Sequence, residues 1–393
     1  MTDSNRWLLP DGIEEVLPPL AWRMETLRRN LLDLYRSWGY ELVIPPFIEY
    51  LESLLTGMGS DLDLQTFKVT DQLTGRMMGV RADMTPQVAR IDAHSLKREG
   101  TVRLCYGGSI LHTRAPNQLS SRCPLQMGAE LYGCAGLAAD IEIINLMLES
   151  LKITGASKIH LDLGHVGIYR SLVAQAGLSA DQESELFSKL QRKSNGEVHA
   201  FVAEHVENKS IADILTGLTD LNGGISVLAQ AATQFKDAPP QATAALETLV
   251  SLAQSVQGSH PEVELYFDLA ELRGYQYHTG IAFTAYLPGI GQAVAKGGRY
   301  DDIGEVFGRA RPATGFSTDL KLLLGRAKQE SLGNFAIMAP SSNDPALQQA
   351  IKKLRASGEI VICQLKAEDL QEHQTSHQRR LVNKKGQWQV ETL

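Results

Sequence analysis

The segment of residues 101–133 alternates between apolar and polar positions on either side of a polar loop. Its first half, which ends near Tyr106, and its second half, residues 124–132, both place apolar side chains at every second position. A period of two is typical of a strand with one buried face. We therefore predict two strands that are joined by a loop at residues 112–122.

A second pattern, with apolar residues three and four positions apart, predicts an amphipathic helix at residues 20–38. Gly39 is placed to end this helix, because glycine readily adopts the left-handed conformation found after helices. A short strand at residues 40–44 is stopped by Pro45 and Pro46. The predicted order is thus helix, glycine, strand and proline.

The same patterns predict further elements up to residue 286. We expect strands at residues 64–69, 76–80, 158–163, 264–270 and 281–286. We expect helices at residues 86–97, with Thr85 as the N-cap, and at residues 140–151. Between them, residues 167–258 are helical stretches broken by polar joints, as at residues 222–224. This region is predicted to be an inserted helical subdomain.

The pattern of apolar and polar positions in the last 60 or so residues predicts a small α/β domain. The expected elements are a strand at 335–338, a helix at 345–356, a strand at 360–363 and a hairpin at 381–390.

One face of the predicted strand at residues 124–132 is poorly suited to a hydrophobic core. Gln126 and Glu130 share this face, and Gly128 lies between them. An amide, a bare stretch of backbone and a carboxylate together suit a small ligand with a positive group. Because charged residues are mostly exposed, a solvated sheet face is the alternative interpretation.

Composition narrows the class of protein. The chain has 393 residues, a net charge of −7 and 21% charged residues, which is typical of a globular protein of two or three domains. The acidic balance argues weakly against a nucleic-acid surface. The four cysteines have no metal-ligand spacing, so reduced thiols in the cytosol are expected. We see no apolar run of about 18 residues and no signal peptide, and we expect a cytoplasmic protein.

These segments resemble the class II aminoacyl-tRNA synthetases, and histidyl-tRNA synthetase in particular. Tyr-Gly-Gly at 106–108, the loop, and Gln-Met-Gly-Ala-Glu at 126–130 are similar to motif 2 of that family. The helix–strand unit before Pro45 resembles motif 1, which forms the dimer interface in the family. The resemblance implies an α+β fold with an antiparallel sheet flanked by helices.

The resemblance covers about residues 8–325 and implies a domain organisation. Residues 1–166 and 259–328 would form the synthetase-like core, residues 167–258 the helical insertion, and residues 329–393 the small C-terminal α/β domain. The family's anticodon-binding domain is longer, and this tail has only a small excess of basic residues. We interpret the tail as a reduced remnant of that domain, without a tRNA surface.

The resemblance also implies a set of histidine-binding residues. They are Asp83, Thr85, Gln126, Glu130, Arg273, Tyr277 and His278. The last three belong to an Arg-Gly-Tyr-Gln-Tyr-His segment similar to one that is specific to histidyl-tRNA synthetases, and Arg273 would meet the carboxylate of the amino acid. Without the resemblance, Asp83 and Thr85 could be a helix cap and the Arg-Gly-Tyr sequence a plain turn.

The residues that hold ATP phosphates in the synthetases are replaced. The motif 2 arginine falls on His112, and the motif 3 arginine falls on Leu322. Loss of one preorganised donor costs roughly 10²–10³ in rate, so two losses would leave little adenylate chemistry. A protein that keeps the histidine site but cannot activate histidine is a sensor.

This combination resembles the regulatory subunits of the short-form ATP phosphoribosyltransferases, which are synthetase paralogues without aminoacylation activity. In that family the subunit assembles with a separate short catalytic subunit, raises its activity and transmits feedback inhibition by histidine in the first step of histidine biosynthesis. The resemblance therefore implies a hetero-oligomer with that catalytic subunit, a homodimer through the motif 1-like segment, and L-histidine as effector. It implies no catalytic residue, cofactor, metal or tRNA partner for this chain.

Two other functions stay open at this point. An active histidyl-tRNA synthetase would need arginine at positions 112 and 322, a full anticodon domain and a basic surface. A class II-like enzyme with another acceptor, such as a protein-modifying ligase, would also need the two phosphate-binding arginines.

Overall fold

The computed structural model describes residues 7–55, 60–115, 120–270, 274–275, 277–324, 336–365 and 379–392. The chain divides into two compact units, Met1–Ala327 and Lys328–Leu393. Each unit has a hydrophobic core of its own. None of the described helices is both long enough and apolar enough to cross a membrane.

The first unit mixes short strands with helices. Its strands are β1 (Glu41–Leu42), β2 (Ile48–Tyr50), β3 (Phe67–Thr70), β4 (Met77–Val80), β5 (Val102–Ser109), β6 (Leu125–Tyr132), β7 (Ile159–His165), β8 (Asn222–Gly223), β9 (Val263–Asp268), β10 (Ile281–Tyr286), β11 (Ala295–Arg299) and β12 (Ala313–Asp319). Its α-helices are α1 (Leu20–Ser37), α2 (Leu51–Leu55), α3 (Ser60–Gln65), α4 (Thr85–Arg90), α5 (Leu137–Ile153), α6 (Val166–Ala176), α7 (Ala180–Gln191), α8 (Asn195–His205), α9 (Lys209–Gly217), α10 (Ser226–Gln234), α11 (Pro240–Ser259) and α12 (Leu320–Leu324).

The main sheet of this unit is antiparallel at its centre and mixed toward its edges. Within the described residues its strand order is β1-β5-β6-β12-β11-β10-β7-β9-β8. The strands from β5 to β7 in this order all pair antiparallel, whereas β1 joins β5 and β9 joins β7 in parallel. A separate small sheet has the order β2-β4-β3. The predicted α+β fold is confirmed, with the correction that the sheet is mixed.

One face of the central strands packs on the helices. Met127, Ala129 and Leu131 of β6 join Leu31 and other buried residues of α1, α5 and α6–α11 in one continuous core. Leucine and isoleucine at steps of three and four give these helices the apolar stripe that such packing needs. The helices of residues 167–258 thus lie in the first compact unit, and their separate subdomain status stays a prediction.

Several predicted boundaries are shifted. The strand predicted at 64–69 begins at Phe67, because Ser60–Gln65 forms α3. The helix predicted at 86–97 is α-helical only to Arg90 and continues as a π-helix, Ile91–Leu96. The predicted polar joint at 222–224 contains β8, which pairs with β9. The pairing of β8 with β9 is a tertiary contact, which local propensity does not include.

The second unit is a small α/β domain. Its described elements are β13 (Ile337–Ala339), α13 (Pro345–Ala356), β14 (Val361–Cys363), β15 (Arg379–Lys384) and β16 (Gln387–Thr392). Their sheet order is β14-β13-β15-β16, and β13 is parallel to both of its neighbours. Asp344 caps α13, with its Oδ1 accepting a hydrogen bond from the Ala346 amide at 2.9 Å.

Candidate functional site

The polar face of the central strands forms the floor of a cavity of about 690 Å³, a size that suits a small-molecule ligand. It is lined by six of the residues with a predicted role in histidine binding, namely Asp83, Thr85, Gln126, Glu130, Tyr277 and His278. The seventh, Arg273, lies outside the described residues. His112 and Leu322, where the synthetase arginines would stand, line the same cavity.

Glu130 places a buried carboxyl group at the centre of this floor. The residue is only 1% exposed. The Tyr106 hydroxyl donates to its Oε1 at 2.9 Å, and the Tyr300 hydroxyl donates to its Oε2. Burial raises the pKa of the Glu130 carboxyl to about 8, although both tyrosine hydrogen bonds act in the opposite direction. Glu130 therefore releases its proton less readily than an exposed carboxyl group does, and a cationic or N–H-bearing ligand would favour its ionised form.

Two glycines make room for this arrangement. Gly315 of β12 pairs with Glu130, and a Cβ at residue 315 would overlap Oε2 of that carboxylate. Gly128 pairs with Tyr106, and a Cβ there would overlap the phenol ring. Gly128 thus admits the tyrosine that holds Glu130, whereas the sequence had suggested that it admits the ligand itself.

Asp83 and Gln126 form a second polar group at the edge of the floor. Gln126 Nε2 donates to Asp83 Oδ1 at 2.8 Å, and Gln126 Oε1 accepts from the Met84 amide at 2.9 Å. Asp83 Oδ1 also accepts from the Thr85 amide at 3.0 Å. Within the described residues nothing donates to Asp83 Oδ2, so this oxygen can receive an ammonium group.

Thr85 does not cap α4, which corrects the prediction. The helix begins at Thr85 itself, and Met84 occupies the N-cap position. The Thr85 hydroxyl oxygen lies 3.0 Å from the Tyr106 hydroxyl oxygen, which in turn bonds to Glu130. Thr85 therefore reaches the central carboxyl group through a tyrosine.

Tyr277, His278 and Tyr300 form one wall of the cavity. The rings of Tyr277 and Tyr300 stack with centroids 5.1 Å apart, and the His278 ring meets Tyr277 edge-on at 5.5 Å. The Tyr277 hydroxyl is buried and has no hydrogen-bond partner in the described part of the chain. Because a buried hydroxyl without a partner is costly, this group is a candidate ligand contact.

The helices α6 and α7 hold this wall through Tyr275. The Tyr275 ring packs on Tyr169 and Phe187 with centroids 5.3 and 5.4 Å apart. Arg170 Nη2 donates to the Tyr275 carbonyl oxygen at 2.7 Å, and the Tyr275 hydroxyl donates to Glu183. Tyr275, two residues before Tyr277, is therefore packed against the helical insertion.

His112 and Leu322 lie where the synthetases have phosphate-binding arginines, and neither side chain has the permanent positive charge of an arginine. The His112 ring Nε2 lies 2.9 Å from the Ala82 carbonyl oxygen, and its backbone amide donates to the Arg122 carbonyl oxygen at 2.8 Å. Leu322 has no donor. Its neighbour Lys321 forms an ion pair with Glu14, Nζ to Oε1 at 3.1 Å.

Sequence analysis missed Tyr106 and Tyr300 as site residues. The alternation of β5 suggested that Tyr106 was an ordinary core position, and its place opposite Gly128 is seen only in the structure. Tyr300 lies in a Gly-Gly-Arg-Tyr-Asp segment at residues 297–301. Arg299 of this segment pairs with buried Asp140, Nη2 to Oδ2 at 2.8 Å.

Family comparisons cover nearly all of the chain. Residues 12–323 match the family model described as Histidyl-tRNA synthetase. Residues 334–391 match the model described as ATP phosphoribosyltransferase subunit HisZ C-terminal domain. A protein from Thioalkalivibrio sulfidiphilus, named ATP phosphoribosyltransferase regulatory subunit, is 60% identical over 363 residues, which is 92% of each chain.

Solved structures share the fold. An ATP phosphoribosyltransferase regulatory subunit/histidyl-tRNA synthetase from Bacillus halodurans C aligns with a TM-score of 0.81 and 27% identity over 94% of this chain and 96% of that one. A chain of the ATP phosphoribosyl transferase (HisG:HisZ) complex from Thermotoga maritima aligns with a TM-score of 0.58 and 18% identity over 75% and 96%, a likeness of fold alone. The predicted family is confirmed: the chain belongs to the ATP phosphoribosyltransferase regulatory subunits, built on the histidyl-tRNA synthetase fold.

Proposed function

We propose that this regulatory subunit binds L-histidine in the cavity above Glu130 and conveys feedback inhibition to a separate, short catalytic subunit. The observation that carries the proposal is one cavity lined by a buried Glu130 and by an Asp83 whose Oδ2 accepts from no donor among the described residues. Histidine supplies two matching groups, an imidazole and an ammonium.

The raised pKa of the Glu130 carboxyl group suits an imidazole ligand. A carboxyl group with a pKa of about 8 and an imidazole with a pKa of about 6.5 can share one proton, with either partner as the donor. Asp83 Oδ2 can meet the ammonium group, and the Tyr277 hydroxyl can fill the remaining polar contact.

Inhibition requires histidine to bind more tightly to a less active state of the complex, since equal affinity would shift nothing. Tyr275, two residues before Tyr277 of the cavity wall, contacts α6 and α7 of the helical insertion. We propose that a movement of the cavity wall on histidine binding reaches the helical insertion through the packing of Tyr275 on α6 and α7.

We propose that the chain assembles with the catalytic subunit, as the Thermotoga maritima neighbour is described as a HisG:HisZ complex. The test is to mix the purified chain with a short catalytic phosphoribosyltransferase and to measure mass, rate and histidine sensitivity. We expect a larger, faster and histidine-inhibited complex. Unchanged mass and rate would remove the assembly proposal.

We also propose a homodimer through the motif 1-like segment. Large apolar residues around β1 and β2 are exposed, namely Leu42, Ile44, Phe47 and Ile48. Ile44 is 83% exposed, and an exposed apolar cluster marks an interaction surface. Light scattering should give twice the chain mass for the wild type and the chain mass for Ile44→Glu. A wild-type monomer would contradict the proposal.

Histidyl-tRNA synthetase activity is the second candidate, because residues 12–323 match that family model. The cavity argues against it, since His112 is tied to a backbone carbonyl and Leu322 is apolar where the synthetases place phosphate-binding arginines. We therefore propose that the chain has no aminoacylation activity and no tRNA partner.

A further inference from the structure

We propose that Lys296 receives the carboxylate of the bound amino acid, so that the cavity selects a zwitterion held between this lysine and the acidic groups at its other end. This inference rests on the proposed histidine site and adds to it the residue that selects for a free carboxylate. It is an alternative to the role that the resemblance implied for Arg273, and the test below separates the two residues.

The acidic residues that line the cavity already have internal donors. Glu130 accepts from two tyrosine hydroxyls, and Asp83 Oδ1 accepts from Gln126 Nε2. Asp319 Oδ1 accepts from the amides of Leu125 and Lys321 at 3.1 and 3.0 Å. These carboxylates are therefore positioned without help from a cavity lysine.

Lys296 differs from them, because its charge has no partner inside the described chain. It is the only lysine among the described residues that line the cavity, and no arginine is among them. No described carboxylate forms an ion pair with its Nζ, and the side chain is exposed. An unpaired ammonium beside an acidic cavity floor favours the anionic end of a ligand.

The register of the sheet places Lys296 and Glu130 on the same face. Lys296 of β11 pairs with Ser317 of β12, and Gly298, two residues further along β11, pairs with Gly315. Gly315 in turn pairs with Glu130 of β6. Because side chains repeat their face every second residue, Lys296 and Glu130 both face the cavity. Two strand spacings and one two-residue step put their Cα atoms about 12 Å apart.

The floor between these two residues is partly covered. The register separates them by Gly298, Gly315 and Ser317. The His278 ring lies over Gly298 and the Glu130 carboxylate lies over Gly315, so Ser317, which pairs with Lys296, is the small residue that a ligand can lie across. A histidine with its ring at Glu130 would direct its carboxylate toward Lys296.

The test compares two ligands on the full chain by calorimetry. L-Histidinamide keeps the imidazole and the ammonium group of L-histidine but lacks the negative charge. We expect the wild type to prefer L-histidine, and Lys296→Met to lose about tenfold in affinity for L-histidine with no change for the amide. Lys296→Arg, which keeps the charge, should retain most of the preference.

Other results would overturn the inference. Unchanged histidine affinity in Lys296→Met, or an equal loss for both ligands, would show that Lys296 does not contact the carboxylate. A selective loss found only in Arg273→Met would place the carboxylate at Arg273 and leave the histidine site intact. A wild type that binds neither ligand would remove the histidine site itself, and this inference with it.

Discussion

The hydroxyl of Tyr106 donates a 2.9 Å hydrogen bond to the buried carboxylate of Glu130 across the β5–β6 hairpin. The bond exists because residue 128, opposite the tyrosine, is a glycine whose missing side chain leaves space for the phenol ring. The same tyrosine hydroxyl also forms a hydrogen bond with the hydroxyl of Thr85, at the start of α4. The central acidic group of the cavity is therefore fixed before a ligand arrives, which lowers the entropy cost of binding.

Tyr106→Phe should weaken histidine binding several-fold, because Glu130 loses one of the two donors that position it. We also expect a loss of about 1 kcal/mol in the free energy of unfolding, since a buried acceptor loses a partner. Calorimetry and denaturant unfolding measure the two effects. Tyr35→Phe is the matched control on the opposite face of the sheet, and its histidine affinity should not change. Equal losses in both variants would contradict a local role for Tyr106.

Glu130→Gln should lower histidine affinity by tenfold or more, as about 1.4 kcal/mol is a factor of ten and a charge-assisted bond contributes about 1.5–3 kcal/mol. The amide keeps the shape of the side chain, so the cavity should persist. Calorimetric affinity equal to that of the wild type would move the ligand to another site.

The free energy of unfolding of the ligand-free protein should depend on pH because of Glu130. Its carboxyl pKa is raised from 4.5 to about 8 in the folded state, so the folded state binds the proton more tightly than the unfolded chain does. The contribution of this group to the free energy of unfolding therefore falls as pH rises from about 4.5 to about 8. Glu130→Gln removes this dependence.

Denaturant unfolding of both proteins at pH 5.5 and pH 8.5 measures that difference. We expect Glu130→Gln to gain stability relative to the wild type at the higher pH. A stability difference between the two proteins that is the same at both pH values would show that Glu130 is ionised at little cost in the folded protein, and a relative loss for Glu130→Gln at the higher pH would show that the ionised form stabilises the fold.

Tyr275→Ala should loosen the wall formed by Tyr277 and His278, because it removes the ring that packs on Tyr169 and Phe187. We expect a loss of about 2 kcal/mol in unfolding free energy and a lower histidine affinity. Tyr275→Phe, which loses only the bond to Glu183, should stay close to the wild type in affinity. If the alanine variant bound histidine normally, the wall would not depend on the insertion.

Purified protein with L-histidine and ATP should show no pyrophosphate exchange, since neither His112 nor Leu322 can hold a phosphate as an arginine does. The same assay with a histidyl-tRNA synthetase is the positive control. Robust exchange by this chain would restore the synthetase alternative.

Local pattern was sufficient for the parts of the site that lie on one strand. The period of two placed Gln126 and Glu130 on one face, and the structure has both side chains in the cavity. Motif resemblance added Asp83, Tyr277 and His278, which local pattern alone would have assigned to a cap and a turn. The family's motifs thus supplied what strand periodicity could not.

Contacts between strands that are distant in the chain could not be predicted from the sequence pattern. Tyr300 lies 170 positions from Glu130, and its contact depends on the order of β6, β12 and β11. Thr85 was predicted to be an N-cap because the capping rule considers only neighbouring residues. In the folded protein its hydroxyl group forms a hydrogen bond with the distant Tyr106 hydroxyl instead. Lys296 has no local signal at all, and only the sheet register places it in the cavity.

The most direct test of the account is the rate of phosphoribosyl-ATP formation by the catalytic subunit, measured against L-histidine concentration with wild-type or Glu130→Gln regulatory subunit. The account predicts that histidine inhibits the wild-type complex, and that the Glu130→Gln complex stays active at histidine concentrations that inhibit the wild type. Identical inhibition curves for the two complexes would contradict it, because the inhibitory histidine would then bind somewhere other than the Glu130 cavity.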